Sequence, residues 1–379
     1  MTHQEPPATE NPSVLAGHTI DGPASARFSI DGRLYTNFTG CGYLALSRVP
    51  EIRDAVKIAI DRGTPFAQQL PAAKGAIDPI FDEVENAASS AAGTESSVYF
   101  ASGYAIGAVG LASLDAPYDL LFIDENAHYN LKDAARALAL PCFPFEHCNA
   151  GALRDLLRTN VHAKRRPLVV TDGAFPISGR VPPLSDYAIE LQPYDGRLFV
   201  DEAHSFGVVG EQGRGAVEYC GVEPIAIIGA TFSKAYCAQG AFVGCSLAAA
   251  KRLRSYPVIR GACAGSPLSA VAATASLRYV SQHPEIRVEL RQLTQYLRNG
   301  LRSIGIDVID SPAPIVSFRC GTWADMQSLQ RRAFDNGVII NHSTYVGAVA
   351  GGTIVCAVFR DHSTEDIDLL LDALRRHHS

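Results

Sequence analysis

The chain has 379 residues, 47% of them hydrophobic and 19% charged, with a formal net charge of −6, which is the composition of a globular protein with a sizeable core. Its basic runs are short, Lys164-Arg165-Arg166 and Lys251-Arg252-Leu253-Arg254, and leave no footprint for a polyphosphate backbone. No segment reaches the roughly 18 apolar residues of a membrane span, so the sequence argues against both nucleic acid and membrane as partners.

The first dozen residues are polar and proline-rich, without an apolar signal core, and read as a frayed tail of a cytoplasmic protein. Nine cysteines scattered from Cys41 to Cys356 form no CxxC pair, which fits apolar core fillers in a reducing compartment and no metal site. Amphipathic helices are predicted at PEIRDAVKIAIDRG and DPIFDEVENAASSAAG, where Gly63 and Gly93 fall at C-terminal caps. Between residues 97 and 246 short apolar runs recur: SVYF, LLFID, PLVVTD, RLFVDEAH, IAIIGATF and AFVGCS. Helical patterns such as LKDAARALAL and GALRDLLRTN interleave with them. Runs of this kind are strands buried on both faces, so the fold class is α/β with a doubly wound, mostly parallel sheet. Beyond residue 266 come two long helices, then PIVSFRC, GVIINHS and GTIVCAVF as strands, and a last helix opened by Ser363-Thr364. The predicted organisation is an N-terminal segment (1–49) packing with a small α+β C-terminal domain (266–379), around a large domain (50–265).

The stretch RLFVDEAHSFGVVGEQGRGAVE, residues 197–218, holds the letters DEAH and a glycine-rich GEQGRG close to a dinucleotide-binding fingerprint. A helicase DEAH box works beside a GxxxxGK[ST] loop, and the sequence contains no Gly-Lys pair. A dinucleotide-binding GxGxxG follows its strand directly, whereas GEQGRG begins nine residues after Asp201 and reads as a surface loop. HEXXH and GxSxG are also missing, which removes the usual zinc-protease and serine-hydrolase readings.

In an open parallel sheet, ligands bind beyond the carboxyl ends of the strands. That rule collects Ser102, Gly103 and Tyr104 after SVYF, His128 after LLFID, Asp172 after LVV, Asp201 and His204 after RLFV, and Thr231 to Lys234 after IAIIGA. Of the six lysines, five occupy helices or loops of ordinary character. Lys234 lies among apolar and small residues in ATFSKAYCAQGAFVG, where desolvation favours a neutral, nucleophilic amine able to form a Schiff base. Singly, each residue has a plainer reading: His128 structural, Asp201 a binder of backbone amides, Ser102-Gly103-Tyr104 a helix cap. Together, a lysine imine, an aspartate for a pyridinium, a histidine to stack on a ring and a helix start for phosphate specify pyridoxal phosphate.

The stretches NFTGCGYLALSRVPEI, YFASGYAIGAVGLASL, FIDENAHYNLKDAARAL, LFVDEAHSFGVVGEQGRGAVE, TFSKA and HSTEDIDLLLDAL resemble, in order and over nearly the whole chain, the α-oxoamine synthases. This family includes 8-amino-7-oxononanoate synthase and glycine C-acetyltransferase. The resemblance implies a fold-type-I pyridoxal-phosphate enzyme, a homodimer with active sites shared between subunits. Within it, Lys234 would carry the cofactor, Asp201 pair with the pyridine nitrogen, and His204 bond the ring 3-oxygen. His128 would stack on the ring, Gly103 and Tyr104 would donate amides to the phosphate, and Thr231 a hydroxyl.

The departures cluster where the family grips its amino acid. Cys41-Gly42-Tyr43 stands in place of Asn-Asp-Tyr, TPFAQQLPAAKG in place of a Gly-Ser-Arg-rich loop, and Pro176 in place of a serine. The arginine expected seven residues before His362 falls on Val355, and valine cannot replace a bidentate carboxylate clamp. Arg260 and Arg360 are candidates for a relocated clamp, although surface solvation suits either. The expected function is a small-molecule transferase joining an amino-acid-derived carbanion to an acyl thioester, with loss of carbon dioxide. The alternatives are an aminotransferase for an amine, ketone or aldehyde without a conventionally held carboxylate, and a catalytically silent cofactor-binding protein.

Overall fold

The computed structural model describes residues 13–22, 25–67, 78–114, 118–162, 164–260 and 265–375. The N-terminal tail and most of the TPFAQQLPAAKG loop, Lys74 included, lie outside these residues.

Strands β1 (Ile20–Asp21), β2 (Arg27–Ile30) and β3 (Arg33–Asn37) form an antiparallel ribbon. Helix α1 (Pro50–Asp61) begins on a proline, whose missing amide costs nothing at that position, and ends at Arg62 and Gly63, with φ +82 at the glycine. In α2 (Pro79–Ala92) the Asp78 side chain accepts from the Ile80 amide at 3.1 Å, and Gly93 closes the helix in the left-handed region at φ +70.

The large sheet contains β4 (Ser96–Phe100), β5 (Leu120–Asp124), β6 (Cys142–Phe145), β7 (Pro167–Asp172), β8 (Arg197–Asp201), β9 (Ala226–Thr231) and β10 (Ala241–Cys245). Its order is β4-β10-β9-β8-β7-β5-β6, with β10 antiparallel to both neighbours and the other pairings parallel. Every residue of β5 and β7 is buried, as continuous apolar runs require when helices cover both faces. The crossovers are α3 (Ile106–Ala112), α4 (Tyr129–Ala137), α5 (Ala150–Asn160), α6 (Leu184–Leu191) and the short α7 (Ala216–Cys220). Strand β6 was not among the predicted runs; CFPF alternates in burial and carries Pro144, the pattern of an edge strand.

After α8 (Leu247–Leu253) and α9 (Pro257–Arg260) come the two predicted long helices, α10 (Pro267–Gln282) and α11 (Glu285–Ser303). Helix α10 lies against α1 and α2, and α11 against the last helix. The C-terminal part adds β11 (Ile315–Phe318), α12 (Trp323–Asp335), β12 (Val338–Ile339), β13 (Asn341–Ser343), β14 (Thr353–Ala357) and α13 (Thr364–Arg375). GVIINHS thus supplies two strands: β12 extends the N-terminal ribbon through β3, while β13 joins β14 and β11 in a separate antiparallel sheet. His362 pins this arrangement, its Nδ1 accepting from the Phe359 amide at 2.9 Å and its Nε2 donating to the Asn37 carbonyl at 2.9 Å. Among the described residues no helix is long and apolar enough to cross a membrane.

Candidate active site

The carboxyl ends of β4, β5, β7, β8 and β9 bring the predicted polar residues to one edge of the sheet. Asp172 and Asp201 are register partners at the ends of adjacent parallel strands, and both are buried. Burial first, and the neighbouring Asp201 second, push the Asp172 carboxyl well above the usual range; its Oδ2 accepts from the His128 amide at 2.9 Å. Asp201 accepts from the Ala203 amide at 3.0 Å and from Asn130 Nδ2 at 2.8 Å.

Asn130 Nδ2 donates to Asp201, and its Oδ1 lies 2.7 Å from His128 Nδ1, which the Asn130 backbone amide also approaches at 3.3 Å. His128 Nε2 lies 2.7 Å from the Tyr345 hydroxyl. The chain of bonds from Asp201 through Asn130 to His128 fixes the tilt of a ring at the cavity wall. His204 is held in a similar way from the other side. Burial, with Lys234 and His128 nearby, keeps its pKa well below the ordinary 6.5, so the ring is neutral. Tyr43, whose pKa burial raises, lies with its hydroxyl 2.8 Å from His204 Nδ1. We assign the tyrosine as donor, which leaves His204 Nε2–H as the free donor.

Lys234 follows β9 by three residues, and burial lowers its pKa below the lysine value, against the pull of Asp201, Cys41 and Asp172. It opens into a cavity of about 510 Å³ that His128, His204 and Tyr43 also line. At the end of β4 the chain turns through a short 3₁₀ segment into α3, with Ser102 Oγ accepting from the Tyr104 amide at 3.3 Å. A Cβ on Gly103 would come within 2.9 Å of Thr231 Oγ1 and 3.0 Å of its Cβ, so only glycine lets the two loops meet this closely. Thr231 Oγ1 donates to the Gly240 carbonyl at 2.9 Å and lies 2.9 Å from Ser233 Oγ. The Tyr104 ring stands edge-on to His128 at 6.3 Å, and its hydroxyl donates to Asp133.

The structure therefore brings together all nine residues named from the sequence as candidate site residues, and adds Tyr43, Asn130 and Tyr345. Tyr43 and Asn130 stood beside selected residues in CGY and AHYN; buried polar side chains next to apolar runs were the available signal. One expectation is refined and one corrected. GEQGRG is a loop that meets solvent at Glu211 and Gln212, but its glycines are buried: Gly210, Gly213 and Gly215 all have positive φ, and the loop leads into α7, whose Ala216 and Val217 amides each donate to buried Glu202 at 2.8 Å. Glu202, also bonded to Ser205 and pushed up to about 7 by burial, thus braces the loop while its DEAH neighbours serve the cavity. Neither arginine offered as a relocated clamp lines the cavity: Arg360 donates to Glu289 at 3.1 Å, and Arg260 is exposed at the end of α9. A separate cluster, Asp124, His147 and Cys148, is internally satisfied. Asp124 Oδ1 lies 2.9 Å from His147 Nδ1, Oδ2 accepts from the Cys148 amide at 2.9 Å, and burial pushes the thiol up to about 12.

The sequence departures Cys41, Pro176 and Val355 all line the cavity holding Lys234. Ile177, Ile315 and Ala357 continue its apolar side, and Asn341, Ser343 and Tyr345 supply neutral polar groups. Among the described residues lining it there is no arginine.

A desolvated lysine, a buried carboxylate, a neutral His204, a His128 ring held at the cavity wall and a glycine-lined cradle fit pyridoxal phosphate, and on this fold they define a fold-type-I pyridoxal-phosphate enzyme. The sequence matches the aminotransferase class I and II family over residues 41–374. An 8-amino-7-oxononanoate synthase of Methylococcus capsulatus is 31% identical over 369 residues, covering 94% of this chain and 92% of that one. One from Geotalea daltonii is 27% identical over 364 residues, covering 94% and 91%. In fold, the chain is similar to Sphingomonas wittichii serine palmitoyltransferase (TM-score 0.87, 23% identity, 95% and 92% covered). It is also similar to Francisella tularensis 8-amino-7-oxononanoate synthase (TM-score 0.75, 21% identity, 90% and 97% covered). The chain belongs to the aminotransferase class I and II family and, within it, to the α-oxoamine synthases, pyridoxal-phosphate-dependent transferases acting on small molecules.

Proposed function

We propose that this α-oxoamine synthase condenses an amino-acid-derived carbanion with an acyl thioester, with loss of carbon dioxide, and that it holds the amino substrate without an arginine clamp. The observation carrying this reading is the cavity that joins Lys234, His128 and His204 to a wall of Val355, Ile315 and Ala357. Pyridoxal phosphate supplies the electron sink that stabilises the carbanion. Lys234 Nζ would hold the cofactor, Asp201 would face its ring nitrogen, and His204 Nε2–H would donate to its ring oxygen. His128 would cover the ring face, and Ser102, Gly103, Tyr104 and Thr231 would cradle the phosphate. Asp172 acts behind them, keeping the His128 backbone in place. Once displaced by the substrate amine, Lys234 Nζ, already favoured in its neutral form by burial, moves the proton at the substrate α-carbon.

In place of a guanidinium, the substrate meets the side chains of Asn341, Ser343 and Tyr345 along one rim of the cavity. Neutral donors bind a carboxylate more weakly than a charge-assisted fork, so this rim favours an amino substrate whose carboxyl is not the main anchor. The same feature keeps an aminotransferase of simple amines or ketones as the second reading. Incubating candidate amino acids with and without acyl thioesters, and following released carbon dioxide and free thiol, separates the two. Absence of both products, with conversion of the cofactor to its pyridoxamine form by a simple amine, would decide for transamination.

We further propose a homodimer with shared active sites. The rings of Tyr104, Tyr129 and Tyr345 surround His128 and are 55%, 42% and 43% exposed, an aromatic rim suited to a partner subunit. Sedimentation and mixed-variant complementation test this. A cytoplasmic location rests on the scattered cysteines, and the division at residues 49 and 265 on the change in element pattern.

A further inference from the structure

A second cavity, of about 560 Å³, lies between α2, α10, the start of α11 and the loop 210–215, and no residue lines both it and the Lys234 cavity. Three arginines line it: Arg214, Arg278 and Arg287. Arg278 is paired with Glu83 at 3.2 Å, the one carboxylate among the described lining residues. Arg287 is only 7% exposed, its buried Nε has no hydrogen-bond partner, and its Nη2 reaches no closer than 3.4 Å to the Glu211 carbonyl. The arginine is built into the loop: a Cβ on Gly213 would come within 2.9 Å of Arg287 Cδ, so the glycine leaves room for its stem.

A buried guanidinium N–H without an acceptor is costly, and the group that satisfies a guanidinium edge best is a bidentate oxyanion. The C-terminal end of α2 opposes an anion here, but it carries only about half a charge, less than the surplus of arginines over carboxylate. We propose that this cavity is an oxyanion site taking the phosphate group of a small molecule, with Arg287 the principal donor and Arg214 beside it. Tyr236 links it to the active site: it lines this cavity two residues after Lys234, and its ring packs at 5.1 Å on Phe206, two residues after His204. The phosphate can come from two sources, a nucleotide-bearing acyl thioester or a free phosphorylated ligand.

The test uses cofactor-loaded protein, so that the cofactor's own phosphate cradle is filled, titrated with pyrophosphate and with coenzyme A against sodium chloride of equal ionic strength. Pyrophosphate is expected to raise the unfolding midpoint by a few degrees. Arg287→Gln should weaken it about tenfold or more. Arg214, only partly buried, gives a second variant, Arg214→Gln, whose folding is not at stake and whose affinity should fall as well. Competition between coenzyme A and pyrophosphate assigns the site to the thioester's phosphates, and pyrophosphate binding without such competition assigns it to a free ligand. Affinity unchanged in both variants, or a wild-type shift no larger than the chloride control, overturns the proposal.

Discussion

The hydroxyl of Tyr43 lies 2.8 Å from Nδ1 of His204, joining a residue of the N-terminal segment to the DEAH stretch across buried surroundings. If the tyrosine is the donor, His204 exists as its Nε2–H tautomer. Tyr43→Phe removes that constraint and leaves a buried acceptor unpaired, at a cost of about 1–3 kcal/mol in stability. Nitrogen NMR of the His204 ring should then show mixed tautomers, and cofactor affinity should fall about tenfold. An unchanged ring spectrum would remove Tyr43 from the site.

Gly103→Ala tests the cradle. Its new Cβ meets Thr231 at about van der Waals overlap, and overpacking of this kind costs about 1–3 kcal/mol. The expected result is weaker cofactor retention, read from absorbance during dialysis, with little change in secondary structure. Retention equal to wild type would show that the two loops part freely.

Purified protein should be yellow, and borohydride should fix the cofactor to the peptide containing Lys234. Lys234→Ala is expected to lose this covalent label and at least about a hundredfold in turnover, the scale of one general acid/base group. A label found on another lysine would falsify the assignment.

Val355→Arg places a guanidinium in the cavity wall beside neutral Asn341, its register partner on β13. If the missing clamp sets specificity, the variant binds α-amino acids about tenfold more tightly, seen as spectral shifts of the bound cofactor at lower concentration. Binding that stays weak would move the specificity determinant to Cys41 or Pro176, which share the cavity.

His204 and His362 both have pKa values held below 6.5, chiefly by burial. Below that value the unfolded chain takes up protons that the folded one refuses, so stability is fully present above pH 6.5 and falls as the pH drops. Each ring contributes a loss of up to about 1.4 kcal/mol per pH unit. Urea unfolding between pH 7.5 and 5 should show the decline, with both rings titrating below the ordinary histidine range by NMR. Either ring titrating near 6.5 in the folded protein would contradict this.

Continuous apolar runs made the central strands legible, because burial on both faces leaves no other composition, and strand ends then located Asp201, Thr231 and the loop of Lys234. CFPF escaped because an edge strand with a proline has neither continuity nor clean alternation. GVIINHS read as one strand because nothing in its letters shows that the chain changes sheets at Ile340. The glycines of GEQGRG looked like solvent-facing turn residues, whereas their role is to let backbone pass close to Glu202 and Arg287, partners named by the fold alone. Tyr43, Asn130 and Tyr345 were similarly hidden, since their importance lies in hydrogen bonds to residues far along the chain.

Strand β10 lies between β4 and β9 and is the only strand β4 pairs with in the large sheet among the described residues. The contact of Gly103 with Thr231 therefore depends on a strand made after both of them. During synthesis, a chain released only as far as Lys234 would own its nucleophile but have no cup for the phosphate. Ala241–Cys245 reaches β9 across the short connection 232–240, whereas its pairing with β4 closes a loop that contains β5 to β9, and that closure carries the entropic cost. A complete phosphate cradle thus requires β4 and β9 to be joined through β10.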